Sequence, residues 1–220
     1  MKPTVYILHG LFSNVAVSSL SSVSMALTTS GYTVKRPEYY GHGLKSGNVF
    51  DLHESMKRIS AMIDEEPGPV TVIGHSIGGA MALSIGILNP NVTTTYGISA
   101  PNGRHGGNAD RLKVVSRMFG KDMTNLDGHD FRQILRVMPA VYGECSIVNG
   151  KRFFLAHCKS DDIVPFNEFV ENVDMLCIPD ENILVIDSIT GDGRTDHAVL
   201  MNDSRTVAFI KGTIDSDKKR

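Results

Sequence analysis

The sequence predicts an α/β fold, with a mostly parallel sheet of about six strands and helices on both faces. Two observations carry this. Short β-branched runs alternate with longer helical stretches along the whole chain, which is the rhythm of βαβ units. Several of the short runs, Val-Tyr-Ile-Leu at 5–8, Val-Thr-Val-Ile at 70–73 and Phe-Phe-Leu-Ala at 153–156, are apolar almost throughout rather than at every second residue. Strands covered by helices on both faces read this way.

The elements follow in order. The first strand, 4–8, runs into a glycine turn at His9-Gly10, and a helix is expected over 16–29. A β-branched strand at 33–36 precedes a helix over 52–64. The strand at 70–73 leads through Gly74-His75-Ser76-Ile77-Gly78 directly into a helix over 77–88. Further strands are expected at 93–98, 152–157 and 182–186. The Val164-Pro165 step opens a helix over 165–175, and a last helix covers 204–213. Residues 102–150 hold no convincing strand, open with Gly103-Arg-His-Gly-Gly107, and contain helix-like pieces at 111–118 and 131–138. A connection this long is expected to be a lid or cap on a single domain spanning 1–220, beside the carboxyl ends of the strands where such sheets hold ligands. The alternative is an elaborated surface crossover.

Composition bounds the function. A chain of 220 residues with 41% hydrophobic and 21% charged residues is an ordinary soluble domain with one sizeable core. A formal net charge of -2 points away from nucleic acid as a partner. Cys145, Cys158 and Cys177 have no CxxC spacing, so reduced thiols are expected rather than disulfides or a zinc site. No run approaches the length of a membrane span, and the first residues do not read as a signal peptide. A cytoplasmic protein without cofactor or metal is the expectation.

The turn at Ser76 is where chemistry is expected. A bare G-x-S-x-G arises by chance in roughly a tenth of chains this long; strand before and helix after are what give it weight. A serine hydroxyl is a weak nucleophile and needs a histidine base, itself oriented by a third group. Of eight histidines only His197 lies beyond the acidic turn at Asp161-Asp162, and it stands in a flexible loop just before the last helix. Ser76, Asp161 and His197 are therefore the expected catalytic residues, with Asp162 a close competitor for the acid. Asp196, the sequence neighbour of His197, is poorly placed to reach its Nδ1. Taken singly, Asp161 could be a turn residue or cap and His197 a cap of the last helix. The oxyanion formed in acyl transfer needs preorganised N–H donors. The backbone N–H of Ile77 and that of Leu11 are expected to supply them, with Phe12 the next candidate for the second.

Together these residues resemble the α/β-hydrolase superfamily, and in particular its serine esterase and monoglyceride-lipase-like branch. The resemblance rests on His9-Gly10, Tyr40-Gly-His-Gly43 followed by Ser46, Gly74–Gly79, Asp161-Asp-Ile-Val-Pro165 and Asp196-His197. It implies a first strand near the centre of the sheet. The chain starts at the strand bearing His-Gly, without the family's usual first hairpin, so all strands should be parallel. It also implies that His42 helps to shape an acyl pocket, against the alternative of a structural histidine satisfied by backbone. Met118, Phe119, Met123, Phe131 and Met138 fall in the expected lid and suit an acyl chain or aromatic ester, or else pack the lid onto the core. The implied activity is that of a carboxylesterase on small or medium esters. A thioesterase or a C–C or amide hydrolase on the same triad, or a silent small-molecule receptor, are the alternatives.

Overall fold

The computed structural model describes residues 2–11, 21–42, 50–102 and 150–216. Its strands are β1 (Thr4–Leu8), β2 (Thr33–Lys35), β3 (Val70–His75), β4 (Val92–Ile98), β5 (Arg152–Cys158) and β6 (Ile183–Ile186). They pair in parallel throughout, in the order β2-β1-β3-β4-β5-β6. β1 is interior, one place out from the central pair β3 and β4, and β2 is an edge. That edge is short, and Lys35 holds a charge on it, bonded to Glu66 at 2.5 Å. A short charged edge discourages pairing with another chain.

The helices are α1 (Ser21–Thr29), α2 (Leu52–Asp64), α3 (Ile77–Leu88), α4 (Phe166–Met175), α5 (Gly193–Val199) and α6 (Ser204–Ser216). Alternate residues of one strand serve opposite faces. On β1, Tyr6 and Leu8 join the core formed with Met56, Ile59 and Ile63 of α2, Met81 and Leu83 of α3, and Phe169 of α4. Val5 and Ile7 join the opposite core, with Val23 and Leu27 of α1 and Ile210 and Ile214 of α6. Both faces are thus covered, which explains why the strands carry no polar alternation. α3, under the centre of the sheet, is buried from Ile77 to Ile87. α2 is amphipathic instead, and Asp51 caps it by accepting from the Glu54 N–H at 2.9 Å. Among the described residues no helix is long and apolar enough to cross a membrane.

One expectation about an element fails. The glycine-bearing stretch before the last helix is not a flexible loop at His197: residues Gly193–Val199 form α5. Asp192 supplies the start signal, accepting from the Thr195 N–H at 3.2 Å, and a helix of only seven residues, apolar only at Ala198 and Val199, was too short to show hydrophobic periodicity. Of the expected lid over 102–150, residues 103–149 lie outside the described residues, as does the expected start of the first helix at 16.

Both ends of that connection are held by the described structure. Leaving β4, the Asn102 N–H donates to Glu168 Oε2 at 2.8 Å, and the Asn172 amide donates to the Ala100 carbonyl at 2.9 Å. Before β5, Lys151 Nζ donates to the carbonyls of Gly86 and Asn89 at 2.6 and 2.7 Å. It places a cation at the carboxyl end of α3, where the helix dipole favours one.

Candidate active site

The site grows out of the turn between β3 and α3. Ser76 sits there with φ 56° and ψ −126°, a conformation that costs a non-glycine residue of order 1–3 kcal/mol. Hydrogen bonds hold it: the Ser76 N–H donates to the Ile98 carbonyl at 2.9 Å, and the Ser76 carbonyl accepts from Gly79 and Ala80 at 2.8 and 3.1 Å. The flanking glycines are required by close approach. A Cβ on Gly74 would lie 2.0 Å from the Gly78 oxygen, and one on Gly78 would lie 2.4 Å from the His9 oxygen. The elbow is thereby pressed against the end of β1. Gly10 lies alongside, since a Cβ there would be 3.4 Å from Ser76 Cβ. Leu11 follows Gly10 directly, and Ile77 opens α3, whose first N–H groups find no acceptor inside the helix. Phe12 lies outside the described residues.

The second part is a pair of buried side chains. His197 Nδ1 donates to Asp161 Oδ2 at 2.7 Å. The other oxygen of Asp161 accepts from the N–H groups of Ile163 and Val164, both at 2.9 Å. Asp161 is therefore a turn residue and the histidine's partner at once. Burial works against its charge, but the nearby His197 and these bonds prevail and hold the carboxyl at about 2. An ionised carboxylate only accepts, so the proton of a neutral His197 is on Nδ1, and Nε2 carries the lone pair. Asp162 is set aside by the same geometry. Its carboxylate lies 3.8 Å from Arg194 Nε, at the half-buried rim. His197 is on α5 and caps no part of α6.

Two further histidines surround this pair, and neither was singled out by motif. His75, one residue before Ser76, donates from Nε2 to the His197 carbonyl at 2.9 Å, with the two rings 4.8 Å apart. It ties the segment bearing His197 to the serine turn. Burial, with the neighbouring His197 adding to it, lowers its pKa to about 3, so it is neutral. His157, at the end of β5, donates from Nε2 to the Val164 carbonyl at 3.0 Å and is lowered to about 4, chiefly by burial. The only available signal for either was position, at the carboxyl end of an interior strand of the sheet.

Asp196 does not approach the ring of its neighbour. It accepts from Ser160 Oγ, from Ser188 Oγ at 2.7 Å, and from the N–H and hydroxyl of Thr190, each at 2.6 Å. Burial opposes its charge, but these hydrogen bonds outweigh it and keep the carboxyl well below its ordinary range.

His42 does not match the alternative of a histidine satisfied by backbone. It is buried beside His9, Tyr39 and Phe50, and neither ring nitrogen has a hydrogen-bond partner. Backbone does not satisfy it, because its ring faces other rings. Met118, Phe119, Met123, Phe131 and Met138 lie outside the described residues.

Solved structures share this architecture at low sequence identity. The chain is similar to alpha/beta hydrolase domain-containing protein 10 from mouse, with a TM-score of 0.71 and 20% identity, covering 100% of this chain and 92% of that one. It is similar to Est1E from Butyrivibrio proteoclasticus, described with bound ferulic acid, at TM-score 0.65 and 16% identity, over 98% and 88% of the two chains. The monoacylglycerol lipase of Paleococcus ferrophilus gives a TM-score of 0.64 at 17% identity, over 94% and 96%. No curated protein matches by sequence. The family model described as "Alpha/beta hydrolase family" matches residues 5–178, a span that contains Ser76 and Asp161 and stops short of His197. With most of its length matched and the six-stranded parallel sheet in place, the chain belongs to the alpha/beta hydrolase family.

Proposed function

We propose that the protein is a serine hydrolase that cleaves small to medium carboxylic esters through an acyl-enzyme. Ser76 Oγ attacks the ester carbonyl while His197 Nε2 takes its proton. The tetrahedral oxyanion is met by the N–H groups of Ile77 and Leu11. As the carbon–oxygen bond to the alcohol breaks, the imidazolium returns the proton to the leaving oxygen. Water then repeats the sequence on the acyl-serine and frees the acid. Asp161 stabilises the imidazolium without becoming protonated. The observation that supports this most is the 2.7 Å bond from His197 Nδ1 to Asp161, which fixes the tautomer a base requires.

Ser76→Ala tests the reading. It should reduce p-nitrophenyl ester turnover by roughly 10⁴-fold or more, with far-UV circular dichroism unchanged, and abolish labelling by a fluorophosphonate. Undiminished turnover by the variant would overturn the assignment. The bond cleaved is read in parallel on short-chain esters, acyl-CoA thioesters and anilides, where esters should be preferred. A labelled but ester-inactive wild-type chain would move the proposal to thioesters or amides.

A further inference from the structure

We infer that His75 is a positioning residue for the base: its side chain sets where the His197 imidazole stands relative to Ser76. The inference rests on the hydrolase reading above and deepens it.

Alternation along β3 decides which way the ring points. Ile73 belongs to the core shared with α1 and α6, and a residue two places further on faces the same side. His75 therefore reaches the face on which Leu200 and Met201 pack, directly after α5. There its Nε2 lies 2.9 Å from the His197 carbonyl, and the two rings are 4.8 Å apart at 44°. A carbonyl only accepts, so Nε2 carries the hydrogen. Burial, with the nearby His197 adding to it, lowers His75 to about 3. The ring is thus neutral, and does not oppose the positive charge that His197 gains on taking the serine proton. On its other side the ring adjoins the turn after β1, since a Cβ on Gly10 would lie 3.4 Å from His75 Nδ1.

α5 needs such an anchor. It is seven residues long, and its buried residues are Asp196 and His197, both polar. A buried apolar face, which holds most helices in place, is not what fixes it. Polar contacts do so instead. Asp196 ties it to Ser188 and Thr190, Asp161 holds the His197 ring, and His75 holds the His197 backbone. The last of these differs in where it leads. His75 directly precedes Ser76, so one side chain joins the turn of the nucleophile to the residue of the base. The bond also meets a need of the helix. Carbonyls of a last turn are left without partners by the helix itself, and His197 lies in the last turn of α5. Misplacing a catalytic group by about 1 Å can cost about 10²-fold in rate, which is the scale on which this bond acts.

The test compares two amides in the full chain. A glutamine side chain can carry an N–H to the region of Nε2, whereas an asparagine ends near Nδ1 and falls short of the His197 carbonyl. His75→Asn should lower kcat on p-nitrophenyl esters about 10–100-fold, with KM changed less than about twofold, once rates are normalised to the fraction of chains labelled by a fluorophosphonate. His75→Gln should recover kcat to within about fivefold of wild type. If His75 served structure alone, both amides would lower the urea midpoint while kcat per labelled chain stayed at the wild-type value, and that result would overturn the proposal. Equal losses of kcat from the two amides would overturn it too, because reach to the carbonyl would then not matter. The wild-type chain offers a second measurement that no folding defect can spoil. With ¹⁵N-labelled histidine, the His75 ring should show the neutral tautomer protonated on Nε2 from about pH 8 down to about pH 5. The opposite tautomer, or protonation at about pH 6.5, would remove the bond and the proposal with it. A wild-type chain that cleaves no ester would sink the hydrolase reading, whereas wild-type turnover beside an undamaged His75→Asn would sink this inference alone.

Discussion

Asp161 and Asp196 are both buried carboxylates and both stand close to His197, yet their oxygens are committed to different ends. Asp161 comes from a turn 36 residues away in sequence and meets the imidazole. Asp196 is the chain neighbour of His197 and instead gathers the hydroxyls of Ser160, Ser188 and Thr190. Adjacent positions on a helix point in different directions, so on α5 the residue closest in sequence is the one excluded from the ring. Asp196 holds the loop from which α5 springs, and Asp161 sets the state of the ring that α5 presents.

Exchanging each acid for its amide should separate these roles. Asp161→Asn has the largest expected effect. The amide can donate, so the bond to Nδ1 no longer selects the tautomer with its lone pair on Nε2. A loss of about 10⁴ in kcat is expected, read by steady-state ester hydrolysis, and a loss under tenfold would remove Asp161 from the mechanism. Asp196→Asn should act first on stability. Weakening a charged acceptor of several hydrogen bonds should cost about 1.5–3 kcal/mol, visible as a lower urea midpoint, with kcat reduced far less than by Asp161→Asn. Equal kinetic damage from the two substitutions would erase the distinction.

A third expected effect is a pH slope. His75 and His157 are neutral in the folded protein down to about pH 3 and 4, while an unfolded histidine takes its proton near pH 6.5. Between those limits the unfolded chain binds more protons, so stability falls as pH drops. Each histidine should contribute up to about 1.4 kcal/mol per pH unit. Asp161 adds to the decline only lower, below the ordinary carboxylate range and down to about 2. Urea midpoints followed by circular dichroism from about pH 7 to 4.5 should show this slope, and His157→Asn should flatten it. A flat wild-type profile would mean that these rings accept protons without unfolding.

Much of this was legible in the residues themselves. Val5–Leu8 and Phe153–Ala156 carry no alternation because both their faces are covered, and continuous apolarity is local information. The Gly-His-Ser-Ile-Gly turn is legible for a similar reason, since the glycines are demanded by contacts within a few residues of the serine. The choice between Asp161 and Asp162 was not legible. It depends on which carboxylate a turn aims at a helix 36 residues further on, and adjacent acids look alike to any pattern. α5 was hidden because it is short, polar and glycine-led. The unpartnered ring nitrogens of His42 were invisible for a deeper reason: hydrogen-bond partnership is a property of packed loops, and nothing in the spacing of the histidines encodes it.

The backbone at Ser76 has a consequence for durability. A residue with φ 56° that is not glycine is held there by its neighbours against its own preference. On the proposed mechanism, glycine at that position would relax the turn and leave a sturdier, inert protein, so robustness and turnover would pull this residue in opposite directions. Selection for heat resistance alone would tend to erode the hydroxyl. Its survival in any hardened descendant would be a record of continued demand for chemistry.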